Sequence, residues 1–166
     1  MSQDPHSVDA KAYNSIVARA ALRNIRMTDC KLELKPESVE FPAQSWKSSL
    51  KESIDTFADL EASRLYGVFS FELICKHGRK RLLTVWANYL VSYTVSGESD
   101  EVAAALFVER VGRVAAYPYF RSLVAHLVSE AGITLPPLPI ISAAPRTIRS
   151  AQDLEVKGAT KVLVGT

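Results

Sequence analysis

Two long runs of β-type residues, with the short turn Lys76-His77-Gly78-Arg79-Lys80 between them, constrain this chain more than any other feature. Within Leu65 to Cys75, the residues Phe69, Phe71, Leu73 and Cys75 alternate with Val68, Ser70, Glu72 and Ile74. Within Leu82 to Val95, Leu83, Val85, Ala87, Tyr89, Val91, Tyr93 and Val95 line one face. Period-two patterning marks strands, and two such runs joined by a short glycine-containing turn form an antiparallel hairpin. Strands well beyond the usual ~5–6 residues are expected to twist strongly. The second run is apolar on both faces, since Trp86 and Leu90 oppose Val85 and Tyr89. A sheet apolar on both faces must bury both. A chain of 166 residues can hardly do so alone, which points to self-association.

The flanking segments supply the rest of an α+β domain. Tyr13, Ile16, Val17, Ala20 and Ala21 recur at helical spacing, predicting a helix over Asp9 to Asn24 with Arg19 and Arg23 in its last turns. Ile25 to Leu34 alternates as a strand that ends at Pro36. Trp46 to Leu60 fits both periods, with helix propensity slightly favoured. Ser99 is the expected N-cap of a long helix that stops at Gly132, carries Phe120, Leu123, Val124, Leu127 and Val128 as its core stripe, and is kinked or split just upstream of Pro118. Leu135 to Ile141 holds three prolines and reads as extended chain. Residues 1–8 are expected to be a disordered lead, residues 9–150 one domain with a short helix from Thr147, and residues 151–166 a flexible tail.

Composition narrows the function. Hydrophobic residues make up 48% and charged residues 23%, which suits a folded soluble domain. No apolar run reaches the ~20 residues of a membrane helix, and the first residues lack a secretory pattern, so a cytoplasmic protein is expected. The 2 cysteines, Cys30 and Cys75, exclude a disulfide scaffold and are read as buried small hydrophobes. His6, His77 and His126 sit apart, and no GxSxG, CxxC, HExxH or phosphate-loop pattern occurs. No catalytic residue, metal site or cofactor is therefore assigned, and the chain is not read as an enzyme. The basic tip Lys76 to Lys80, with Arg81, offers an alternative as a nucleic-acid-binding module. The preferred reading is a solvated tip with gatekeeper charges, because Phe69, Phe71, Tyr89 and Tyr93 occupy core-like positions rather than a stacking platform. The remaining apolar set, Trp46, Leu50, Ile54, Phe57 and Leu60, can wall an open groove, with Leu135 to Ile141 as a second wall.

Several of these segments, taken in order, resemble the SecB export chaperones. Tyr117-Pro118-Tyr119-Phe120-Arg121, then the helix, Gly132 and Leu135-Pro136-Pro137-Leu138-Pro139-Ile140, follow that family's pattern. Trp46, Leu50-Lys51, Ile54-Asp55-Thr56 and Leu65-Tyr66-Gly67-Val68 match a SecB stretch at the same spacing, and the likeness spans roughly residues 22–141. The resemblance implies a four-stranded antiparallel sheet with a long helix, Trp46–Leu60 as a strand, and a homotetramer built as a dimer of dimers through Tyr119, Phe120, Leu123 and Leu127. It implies an ATP-independent holdase whose groove is lined by Trp46, Leu50, Ile54, Phe57, Leu60, Ile140, Ile141 and Ile148, for unfolded preproteins or for an antitoxin. Three departures stand out. The chain is slightly basic at +2, and carries Arg64 and Lys76 on the strand corresponding to the one whose acids contact the SecA motor in that family, so the resemblance leaves SecA docking open. Ser142-Ala143-Ala144-Pro145 weakens the second groove helix, and the Ala/Arg-rich lead is closer to SecB-like proteins linked to toxin–antitoxin pairs.

Overall fold

The two alternating runs pair as one hairpin: β3 (Arg64–His77) and β4 (Lys80–Val95) are antiparallel, with Phe69 opposite Tyr89 and Leu73 opposite Val85. The computed structural model describes residues 10–141. Gly78 begins the two-residue turn at φ 58°, a left-handed conformation that glycine adopts at no steric cost. The sheet is completed by β1 (Ala20–Leu34) on β4 and β2 (Lys47–Asp59) on β3, giving the antiparallel order β1-β4-β3-β2. Trp46–Leu60 is thus mostly strand, as the resemblance implies and against the slight helical lean. Thirteen cross-strand partners with β3 outweigh weak intrinsic propensity.

The expected N-terminal helix is shorter than its alanine content suggests. Helix α1 covers Ala10–Arg19, and β1 begins at Ala20, which pairs with Val95. Ladder hydrogen bonds to β4 override the helical preference of Ala20 and Ala21, a gap of well under ~1 kcal/mol per residue. Register shifts between Leu22 and Asn24 and between Met27 and Asp29 break the simple alternation of this strand. Cys30, opposite Ala87 on the helix-facing side of this edge strand, lies exposed, which corrects its reading as a buried hydrophobe, whereas Cys75 is buried. Strand β1 ends where expected, before Pro36.

Because β1 and β2 are opposite edges, the chain between them must cross the hairpin-tip end of the sheet. It does so through short 3-10 turns at Pro36–Glu40 and Ala43–Ser45. The crossing is pinned by Lys35 N–H donating to Leu82 O at 2.8 Å, by Phe41 stacked on His77 at 4.3 Å, and by the Trp46 indole N–H donating to Phe41 O at 3.1 Å.

A continuous helical run packs on one face. It consists of α2 (Glu101–Phe107), a π-helical turn over Val108–Gly112, and α3 (Arg113–Glu130). Its N-cap is Asp100 rather than the expected Ser99, since the Asp100 carboxylate accepts from Ala103 N–H at 2.8 Å. The run changes from α to π hydrogen bonding over Val108–Gly112 and back, and α3 passes through Pro118 without ending. At Gly132, φ 69°, the helix closes in a Schellman turn, with Ile133 N–H on Val128 O and Gly132 N–H on Ser129 O.

The core joins the helix-facing side chains of β3 and β4 to Ile16, Phe107, Val108, Phe120, Val124 and Val128. Phe71 stacks on Phe120 at 5.2 Å, and Tyr93 meets Phe107 edge-on at 5.0 Å. Phe120, read from the resemblance as an interface residue, is wholly buried within its own chain and cannot be presented to a partner. The opposite sheet face carries Tyr66, Val68, Trp86 and Leu90, all half-buried and outside this core.

The closest approach of helix to sheet occurs where glycines stand. A Cβ on Gly67 would lie 2.6 Å from both the Phe69 ring and a Val108 methyl, and a Cβ on Gly112 would overlap the same ring. Gly112→Ala gains about 1 kcal/mol of helix propensity. It must displace a ring held between two backbones, an overpacking cost of about 1–3 kcal/mol. A net loss of stability is expected in urea unfolding, and an unchanged or raised midpoint would contradict this account of the helix contact.

Candidate functional site

One end of the helix–sheet interface is left open. There the start of β2 and the end of β3 diverge from α3, and the chain beyond Gly132 folds back to form the remaining side. The result is a cavity of about 500 Å³. Its sheet wall is Trp46, Ser48, Leu73 and Cys75, and its helix wall includes Pro118, Arg121, Val124 and Val128. Its third side is the strap Ile133–Leu138.

The strap is held by side chains of α3. The Tyr117 hydroxyl donates to Pro139 O at 2.9 Å, and Arg121 Nε donates to Leu138 O at 2.8 Å. Prolines lack an N–H, so Pro136, Pro137 and Pro139 cannot extend the sheet, and their fixed φ keeps the strap extended. Strap carbonyls are thereby free for α3. The sheet wall is fixed independently. Trp46 is oriented by its bond to Phe41 O, and Ser45 Oγ lies 3.0 Å from His77 Nδ1.

The middle of β2 is fixed to the helical run by an ion pair. Arg113 Nε and Nη2 donate to the two Glu52 carboxylate oxygens at 2.5 and 2.9 Å, and both side chains are largely shielded from solvent. Glu52 stands on the helix-facing side of β2 between Leu50 and Ile54. The hydrogen bonds to Glu52, helped by its negative charge, hold the Arg113 pKa above the usual guanidinium value. Removing one partner of such a pair strands a charge, which costs more than removing both.

The sequence-based groove set is divided by this geometry. Trp46 lines the cavity, and Leu50 and Ile54 share the helix-facing side of β2, half-buried against the core and outside the cavity lining. Phe57 points to the opposite face, opposite Tyr66, because the strand period of two separates it from Ile54. Leu60 lies in the turn beyond β2. Phe57 and Leu60 are therefore not part of this wall. Of the strap residues, Ile141 packs on the core while Ile140 is 80% exposed and points away. Ile148 and the helix expected from Thr147 lie outside the described residues, as do the lead 1–8 and the tail 151–166.

Leu123 and Leu127, assigned to an interface, are half-buried against the core, and Tyr119 is exposed. Leu123 and Tyr119 border a smaller hollow of about 360 Å³ with Met27, Tyr89 and His126. The sequence reading missed Leu73, Cys75, Arg121 and Val128 as cavity residues. Pro118, Arg121, Ala125 and Val128 recur at helical spacing, a signal for a second face beside the core stripe.

Burial pushes the Cys75 thiol up to about 11, so it remains protonated at neutral pH and behaves as an apolar wall atom. Among the described residues no group of three or more His, Cys, Asp or Glu side chains is placed to hold a metal ion. The same residues contain no helix long and apolar enough to cross a membrane. At the basic tip, Lys80 Nζ sits 5.5 Å from the Phe41 ring centre. Phe69, Phe71, Tyr89 and Tyr93 are buried, so none of them can stack on a nucleobase.

Leu50 and Ile54 pack on the core, whereas Phe57 stands outside it and is 40% exposed. Leu50→Ser with Ile54→Ser is expected to cost about 2–4 kcal/mol in a thermal melt, and Phe57→Ser under 1 kcal/mol. A native melt for the pair would return these residues to an open wall.

No protein-family model matches the sequence. The chain is 27% identical over 107 residues to the SecB-like chaperone SmegB of Mycolicibacterium smegmatis, covering 61% of this chain and 72% of that protein. Its fold matches a SecB-like chaperone of Mycobacterium tuberculosis, solved in complex with a ChAD peptide from the HigA1 antitoxin. The TM-score is 0.68 at 22% identity, over 80% of this chain and 97% of the other. In sequence and in fold, then, the resemblance stands: the chain is similar to the SecB-like chaperones, including one solved with an antitoxin peptide.

Proposed function

We propose that the chain is an ATP-independent holdase that receives apolar segments of an unfolded polypeptide in the cavity between Trp46, α3 and the strap. The observation that carries this reading is an open, largely apolar cavity of about 500 Å³ in a SecB-like fold. Such a volume takes two or three side chains, within the usual range of ligand sites. Burial of ~300 Å² of client apolar surface yields about 7 kcal/mol before ordering costs. Binding of this kind needs no nucleotide and tolerates many sequences.

The client favoured by the comparisons is an antitoxin segment, because the matching M. tuberculosis chaperone was solved with one. General preproteins are the other client class. SecA docking finds less support, since Arg64 and Lys76 lie exposed on β3. Assembly into a homotetramer is part of the proposal. Leu22, Met27 and Tyr119 are each about half exposed, and Leu22 and Met27 lie on the helix-facing side of edge strand β1. A cytoplasmic location accords with the same reading.

The test is suppression of aggregation of a chemically unfolded client without nucleotide, beside light scattering of the free protein. Suppression is expected, together with a mass several times 18.3 kDa. Trp46→Ala should leave the melt within about 1–2 kcal/mol of wild type and weaken suppression by about tenfold. Undiminished suppression by a folded Trp46→Ala variant would contradict the placement of the client. A protein without any suppression would contradict the function.

A further inference from the structure

Among the described residues lining the 500 Å³ cavity, Arg121 is the only charged one and none is a carboxylate. The side chain is half-buried. Its Nε is committed to Leu138 O, and its two terminal amino groups have no hydrogen-bond or ion-pair partner among the described residues. The contrast with Arg113, which is met by both oxygens of Glu52, is direct. The fold neutralises one half-buried guanidinium and leaves the other facing an apolar space without an acid.

We propose that Arg121 selects among clients, so that the cavity prefers apolar segments that carry a carboxylate. This rests on the reading of the cavity as the client site. A wholly apolar client would drive water from the guanidinium and leave its charge uncompensated, at a cost that offsets part of the burial. A client carboxylate beside the apolar side chains pairs with the free terminal amino groups in the bidentate geometry that arginine offers and lysine does not.

The experiment measures fluorescence anisotropy of three labelled peptides that share one Leu/Phe-rich sequence and differ at one central position, Glu, Gln or Lys. On the wild-type full chain the Glu peptide is expected to bind about tenfold tighter than the Gln peptide, and the Lys peptide weakest. In Arg121→Gln the ratio of Glu-peptide to Gln-peptide affinity should fall from about ten to about one, whatever change the two peptides share. Arg121→Lys should retain only part of the advantage. Equal binding of Glu and Gln peptides to wild type overturns the proposal. So does an Arg121→Gln variant that weakens both peptides equally, which would mean that Arg121 acts only by holding the strap. Failure of all three peptides to bind overturns the client-site reading itself.

Discussion

Everything in this fold hangs on how close the helical run comes to the sheet at one point. The Phe69 ring lies between Gly67 of β3 and Gly112 at the end of the π turn, with Val108 beside it. Protein interiors pack at crystal-like density, so removing two Cβ atoms at one contact sets where the helix can sit. The π turn places Gly112 over the ring, and the next residue, Arg113, reaches Glu52 on β2. One steric contact and one ion pair thus anchor the middle of the run. Beyond them α3 extends past the end of its sheet contact, and the open wedge it leaves becomes the cavity.

Each side of that cavity has a separate physical origin. The crossover must span the hairpin tip because β1 and β2 are opposite edges, and that route delivers Trp46 to the sheet wall. The Schellman turn at Gly132 reverses the chain onto α3, and proline holds the returning strap extended. A cavity assembled from backbone constraints in this way can stay open without a ligand, since no single apolar side chain is positioned to fill it. The contrast with the filled interface around Phe71, Tyr117 and Phe120 lies within the same helix.

Much of this architecture was legible in the residues. The β3–β4 alternation, the stop at Pro36, the Gly132 helix end and the extended strap each follow from local rules, and the structure bears them out. Tertiary pairing defeated local reasoning elsewhere. Ala20 and Ala21 favour helix yet pair with β4, and Cys30, opposite Ala87, is left exposed on the edge strand. Local rules also left Trp46–Leu60 between helix and strand, and the resemblance resolved it correctly. The groove set drawn from that resemblance spans both faces of the sheet. It united Ile54 and Phe57, which a strand places on opposite faces, and Phe120 with residues of an interface although its ring is needed in the core. The roles of Gly67 and Gly112 were invisible, because a small side chain leaves no periodic signal.

The central claim is that unfolded chain enters the cavity on the helix side of the sheet, beside Trp46, and does not spread over the opposite face, where Trp86 lies. The chain has 2 tryptophans, one on each side, so fluorescence can distinguish them. The measurement is the emission of a Trp86→Phe variant, in which Trp46 is the sole tryptophan, during titration with a tryptophan-free unfolded polypeptide, and of the reciprocal Trp46→Phe variant. The account predicts a saturable blue shift for Trp46, as the client excludes water from its ring, and no shift for Trp86. A saturable shift at Trp86 with Trp46 unchanged would contradict it and move the client to the other face of the sheet.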